Sequence, residues 1–255
     1  MHRVAFSVAL NLAVSTVAAG ELSVAATELR IGTDAGLVRG AEVAGAELEL
    51  PGLGTVRIAS AERDAGSRFG DIWLYRVELA DGRAICDADP GGDTRLVFFP
   101  GRFDAQLNYV DDPAEFSISC VSGVQAKCLR WGYRPWAQAP LGGQSLAPYY
   151  NACIRAARAD YCGDDQPTTR DGTLIDLYDR VGVQVPESDP GQLQFEAGWA
   201  PQGAVCVHHV RIADNATLDG GRAACPRLAA APAGGACSEA AALDRGALLF
   251  NRSRP

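Results

Sequence analysis

The chain has 255 residues, 47% of them apolar and 21% charged, a balance that supports a buried core and excludes global disorder. Its formal charge of −8 repels phosphate backbones, so nucleic acid is not an expected partner. The only lysine, Lys127, stands beside Cys128 in a segment read as structural, which leaves Schiff-base chemistry without a good candidate.

Residues 1–19 read as a signal peptide: Arg3, a moderately apolar run, then the small residues Val17 and Ala19 before a cut. Ser7, Asn11, Ser15 and Thr16 interrupt the run, which is also short for a bilayer, so cleavage is favoured over a retained anchor. No transmembrane segment is expected after its removal. No cysteine follows the cut, so lipid attachment there is not expected.

Residues 20–70 read as a β-rich segment with a loose five-residue repeat, Gly-Leu-Val-Arg-Gly, Ala-Glu-Val-Ala-Gly, Ala-Glu-Leu-Glu-Leu. So few units cannot bury a solenoid core, and a short β segment is the safer reading. Asp71 to Leu79 alternates, with Trp73, Tyr75, Val77 and Leu79 on one face, and Asp81-Gly82 then turns it into Arg83–Cys86. That pattern predicts a β-hairpin. Thr94–Phe99, Phe116–Cys120 and Ala204–Ile212 are further strand candidates.

Ser145 as N-cap, Pro148 in the first turn, and Leu146, Tyr150, Cys153 and Ala157 at helical spacing predict a helix ending near Asp160. A second helix is expected from Ser238 through Phe250, weakened by Gly246. Between them Ala223–Ala236, rich in Ala, Pro and Gly, reads as a loop closed by Cys225 and Cys237. The fold expected is α+β, a β-rich N-terminal part packed with a disulfide-bridged segment containing a central helix. Its parts are residues 20–70, a main domain over 71–212, and a closed loop with a C-terminal helix over 213–255.

Eight cysteines, Cys86, Cys120, Cys128, Cys153, Cys162, Cys206, Cys225 and Cys237, form an even set that fits pairing in an oxidising compartment. With the leader, they point to a periplasmic or extracellular protein. Their connectivity does not follow from sequence.

Specific pieces of the chain carry a family likeness. They are Lys127-Cys-Leu-Arg-Trp131-Gly-Tyr133-Arg-Pro-Trp136, Ala152-Cys-Ile-Arg155, Arg158-Ala-Asp-Tyr-Cys-Gly-Asp164, Thr169-Arg-Asp-Gly-Thr173 and Ile175-Asp-Leu-Tyr-Asp179. Together, over roughly residues 73–212, they resemble the ADYC-domain proteins, a group of exported bacterial proteins. Asp165 is a small departure from the pattern. The resemblance implies membership and supplies no reaction.

Several constellations were weighed for chemistry. Asp164, Asp165, Asp171, Asp176 and Asp179 surround a Thr-Thr-Arg-Asp-Gly-Thr turn, but counting back from Gly172 puts Pro167 at the first EF-hand ligand position. A turn capped by carboxylates, paired with Arg158 and Arg170, is therefore preferred to Ca²⁺. His208 and His209 are sequence neighbours, whose side chains point apart on a strand, so no zinc site is expected and no cofactor is implied. Arg155 and Arg158 share a helix face near Asp160 and are candidates for holding a carboxylate ligand, with an internal ion pair as the plainer reading. Trp131, Tyr133 and Trp136 are candidates for an aromatic platform, with Trp131 and Tyr133 on one face if the segment is extended.

No catalytic set stands out. The favoured function is an exported binding or structural module with an unknown partner. The alternative is a secreted hydrolase using His208 or His209 with Cys162 or the acidic cluster.

Overall fold

The computed structural model describes residues 10–13, 22–34, 36–215 and 237–255. Most of the expected leader, Cys225 and the expected Ala223–Ala236 loop lie outside them. The architecture is α+β, built as two compact units. One holds residues 1–104 and 109–131, the other 105–108 and 132–255, so the division falls elsewhere than at residues 70 and 212.

The first unit is a set of antiparallel strands: β1 (Leu10–Ala13), β2 (Leu22–Ala25), β3 (Glu28–Thr33), β4 (Gly36–Arg39), β5 (Glu47–Leu50), β6 (Gly54–Arg63), β7 (Trp73–Leu79), β8 (Leu96–Pro100), β9 (Arg102–Phe103), β10 (Tyr109–Val110) and β11 (Glu115–Cys120). They form a six-stranded sheet in the order β1-β11-β8-β7-β6-β5, a three-stranded sheet β2-β3-β4 and the ribbon β9-β10. The five-residue repeat thus resolves into separate strands around a 3₁₀ turn at Gly40–Val43.

Strand β7 follows from its alternation, with Tyr75 and Val77 buried in the core. Its expected hairpin partner is a correction: the return after Gly82 makes only the bridge Glu78–Ala84, and the lasting neighbours are β6 and β8. Tyr75 packs edge-on against Phe98, and Phe98 against Phe116, at 5.2 and 5.9 Å between ring centroids. The Tyr75 hydroxyl accepts from Leu29 N at 2.8 Å and donates to Thr27 O at 3.1 Å. Burial pushes that phenol up to about 12. The Cys86–Cys120 disulfide closes this core.

Helix α1 (Val124–Arg130) follows β11 directly. Trp131 caps it in the right-handed helical region and Gly132 has φ +101°. The extended Trp131–Tyr133 arrangement expected from sequence is therefore corrected, because a helix end and a left-handed glycine stand where a strand was assumed.

In the second unit, helix α2 (Ala147–Arg158) packs against a four-stranded antiparallel sheet ordered β12-β15-β13-β14. These strands are β12 (Asp176–Asp179), β13 (Gln194–Ala200), β14 (Gly203–Val207) and β15 (Leu249–Ser253). Pro148 lies in the first turn as expected, and Ser145 Oγ accepts from Ala147 N at 3.2 Å. Strand β14 stops at Val207, short of the expected Ile212.

The C-terminal helix is also corrected. Helix α3 covers only Glu239–Asp244, capped by Ser238, and the chain turns at Gly246 (φ +86°) to finish as β15, an inner strand. Helix α3 lies so close to β13 that a Cβ on Gly198 would stand 2.4 Å from the Ala242 Cβ. Cys237 bonds to Cys206, which corrects the expected Cys225–Cys237 closure. Cys128 and Cys153 are likewise disulfide-bonded. Among the described residues no helix is long and apolar enough to cross a membrane.

Candidate functional site at the turn after helix α2

Helix α2 ends in a Schellman motif: Ala159 is left-handed at φ +50°, its N–H donates to Ala156 O, and Asp160 N donates to Arg155 O at 2.9 Å. Its last carbonyls are taken by side chains from elsewhere. Arg211 donates to Ala156 O and Ala157 O at 2.8 and 3.2 Å, and Thr168 Oγ1 to Ala159 O at 2.6 Å. This satisfies groups that a helix end otherwise leaves open.

Asp160, fully buried, sits in the turn so formed. One carboxylate oxygen accepts from Gly163 N and Asp164 N at 2.8 and 3.2 Å. The other accepts from Asp165 N at 3.1 Å and from Arg155 Nη1 at 2.6 Å. Arg155 is also fully buried and donates further to Pro201 O, Gln106 O and Asn108 Oδ1. Such a pair adds little net stability over an apolar one, but removing one partner strands the other charge. Arg158, partly exposed, pairs with Asp165.

Tyr161 points inward and stacks on Trp199 at 5.2 Å. Its hydroxyl donates to Glu196 Oε1 at 2.9 Å and accepts from Arg211 N at 2.8 Å. Burial, with the Glu196 charge beside it, pushes this phenol well above the ordinary tyrosine range. Glu196 also accepts from Arg211 Nε and Nη2 at 3.0 and 3.1 Å, and from Asn251 Nδ2 at 2.6 Å. Asn251 Oδ1 accepts in turn from Trp199 Nε1 at 2.7 Å. The network is a closed account of donors and acceptors in a dry interior.

Cys162 is half-exposed on the same turn. Gly163 has φ +69°, and a Cβ there would lie 2.1 Å from Gln202 O. Only glycine fits that approach.

Asp179 repeats the Asp160 device at the other end of the sheet. It accepts from Val181 N, Val183 N and Gln184 N at 2.7, 3.2 and 2.7 Å, and from Tyr133 Oη at 2.8 Å. Tyr133 is fully buried, whereas Trp131 and Trp136 are half-exposed. Of the other acidic residues, Asp176 pairs with Arg252 at 3.2 Å, Asp164 accepts from Gln166 N at 3.3 Å, and Asp171 is exposed.

The histidines face different partners. His208 Nδ1 lies 3.2 Å from Cys237 O, and His209 Nε2 3.0 Å from Ser253 Oγ, with the two rings perpendicular at 6.0 Å. His209 Nδ1 is buried without a hydrogen-bond partner, and burial pulls this imidazole below the ordinary histidine range. Ser253 has no accessible surface.

Glu196, Arg211, Asn251 and Trp199 escaped the sequence reading. The one available signal was a glutamate inside the apolar run Phe195-Glu-Ala-Gly-Trp199, where a charge demands a buried partner. Chemically, these carboxylates are sealed acceptors, and what the arrangement achieves is a fixed geometry for the turn.

The motif pieces noted in the sequence are joined pairwise by these bonds: Tyr133 to Asp179, and Arg155 to Asp160. Neither the curated proteins nor the solved structures contain a match to the chain. The family model for the ADYC domain matches residues 40–213, from the 3₁₀ turn before β5 to just past Arg211. The chain belongs to the ADYC-domain family.

Proposed function

We propose that this is an exported, disulfide-stabilised protein of the periplasm or cell exterior that acts as a binding or structural module. The observation that carries this reading is that the signature's reactive-looking groups, Arg155, Asp160, Tyr161 and Asp179, are buried and bonded to backbone amides and to one another. Groups so enclosed build a scaffold, and recognition falls to the surface around it, where Trp131, Trp136 and Arg158 retain exposure. The hydrolase reading has less support. His209 meets a serine hydroxyl, but that serine is fully buried, whereas a nucleophile must reach its substrate.

Export is supported by the leader-like N-terminus and by six cysteines already in disulfides among the described residues. The even total extends the proposal to pairing of all eight. The test is an intact mass of the exported protein, alkylated with and without reduction, together with labelling by thiol- and serine-directed probes. Loss of residues 1–19, no free thiol and no stoichiometric label are expected. Stoichiometric labelling of Cys162 or Ser253 in the native protein, abolished by unfolding, would put the hydrolase first.

A further inference from the structure

The six-stranded sheet has two unlike edges. At one, β5 presents exposed Glu47 and Glu49 and is followed by Pro51, the charges and proline that keep an edge from pairing with other chains. At the other, β11 carries neither charge nor proline from Phe116 to Cys120, and its outer neighbour is β1. Strand β1 pairs antiparallel, with Leu10 opposite Ile118, Asn11 opposite Ser117, Leu12 opposite Phe116 and Ala13 opposite Glu115. Ile118 and Phe116 belong to the core, so the register sets leucines beside core positions and small or polar residues between them.

All of β1 lies within the segment read as a cleaved leader. We infer that processing opens the β11 edge as a docking site for a partner's extended strand: antiparallel, uncharged, with apolar residues at alternate positions. The inference rests on the leader reading made above. Strand addition of this kind draws affinity from main-chain hydrogen bonds and specificity from alternate side chains. Before cleavage, β1 fills the site from within the same chain.

The experiment compares the exported, processed protein with the unprocessed chain of residues 1–255, oxidatively refolded, and titrates each against a labelled peptide spanning residues 8–15. Fluorescence anisotropy is the readout. Saturable binding to the processed protein, at least about tenfold weaker for the unprocessed chain because its own strand competes, is expected. The same peptide carrying Leu10→Asp and Leu12→Asp should lose binding. No binding by the processed protein, or equal binding by both forms, overturns the docking site. So does a processed protein that sediments as a dimer and excludes the peptide, since a second copy then occupies the edge. Retention of residues 1–19 in the exported protein, read by mass alone, overturns the leader reading and with it the opening of the edge.

Discussion

Tyr161 donates its hydroxyl proton to Glu196 across 2.9 Å of buried interior, tying the turn after α2 to the middle of the sheet. Tyr161→Phe keeps the stacking on Trp199 but removes that donor and the acceptor for Arg211 N. Unsatisfied buried groups cost about 1–3 kcal/mol. A urea melt should show the midpoint falling by a corresponding amount with its slope unchanged. Tyr161→Ala, which also opens a cavity, should cost about 3–5 kcal/mol.

Gly163 and Gly172 have similar positive φ values, +69° and +80°, but different surroundings. A Cβ on Gly163 meets the Gln202 carbonyl, whereas one on Gly172 meets nothing within 4 Å. Gly172→Ala should therefore cost only the left-handed strain, roughly 1–2 kcal/mol, and Gly163→Ala clearly more. Parallel thermal melts check the order, and equal losses would show that the Gln202 contact is unimportant.

Acid should weaken the second unit through His209. Its folded-state value lies below the unfolded one because burial disfavours the charged ring. Above about pH 6.5, the unfolded value, both states are neutral and the group contributes nothing. As pH falls below it, the unfolded chain binds the proton first and stability drops, levelling off below the folded value. The surroundings sharpen this: Arg211 and His208 oppose the charge, Glu196 favours it but already has four donors, and Ser253 offers only a hydroxyl. His209→Gln should flatten the stability profile between pH 4 and 7, and an unchanged slope would contradict the assignment.

The Cys206–Cys237 disulfide spans a sequence separation of 31 and joins β14 to the start of α3. Replacing both cysteines by Ala should cost about 3–4 kcal/mol by the chain-entropy relation. Denaturant unfolding with intact neighbouring disulfides measures it directly.

What the sequence disclosed was local. The alternation around Tyr75 marks β7, and Pro148 with the Leu146–Ala157 spacing marks α2, because both signals lie within one element. Glu239-Ala-Ala-Ala suggests a helix running on to Phe250, yet Gly246 ends it and Leu249–Ser253 is drawn into the sheet between β12 and β13. Tertiary pairing outweighed local propensity there. The site was legible only in part. Arg155 and Asp160 are five residues apart and their ion pair was foreseeable, but Glu196 meets Tyr161 and Asn251 across 35 and 55 residues. No periodicity within one segment encodes such distant partners.

The central claim is that the signature residues are scaffold, and Asp160→Asn tests it most directly. The substitution keeps the shape but sets an amide NH₂ or a neutral oxygen against Arg155 and the amides of Gly163, Asp164 and Asp165. Breaking a buried ion pair from one side costs about 3–5 kcal/mol. Urea unfolding of the oxidised variant should show a loss of that order, with Gly163→Ala adding less than its separate effect because both act on one turn. A variant as stable as the parent would mean that Asp160 does not hold the turn, and the scaffold account would fail.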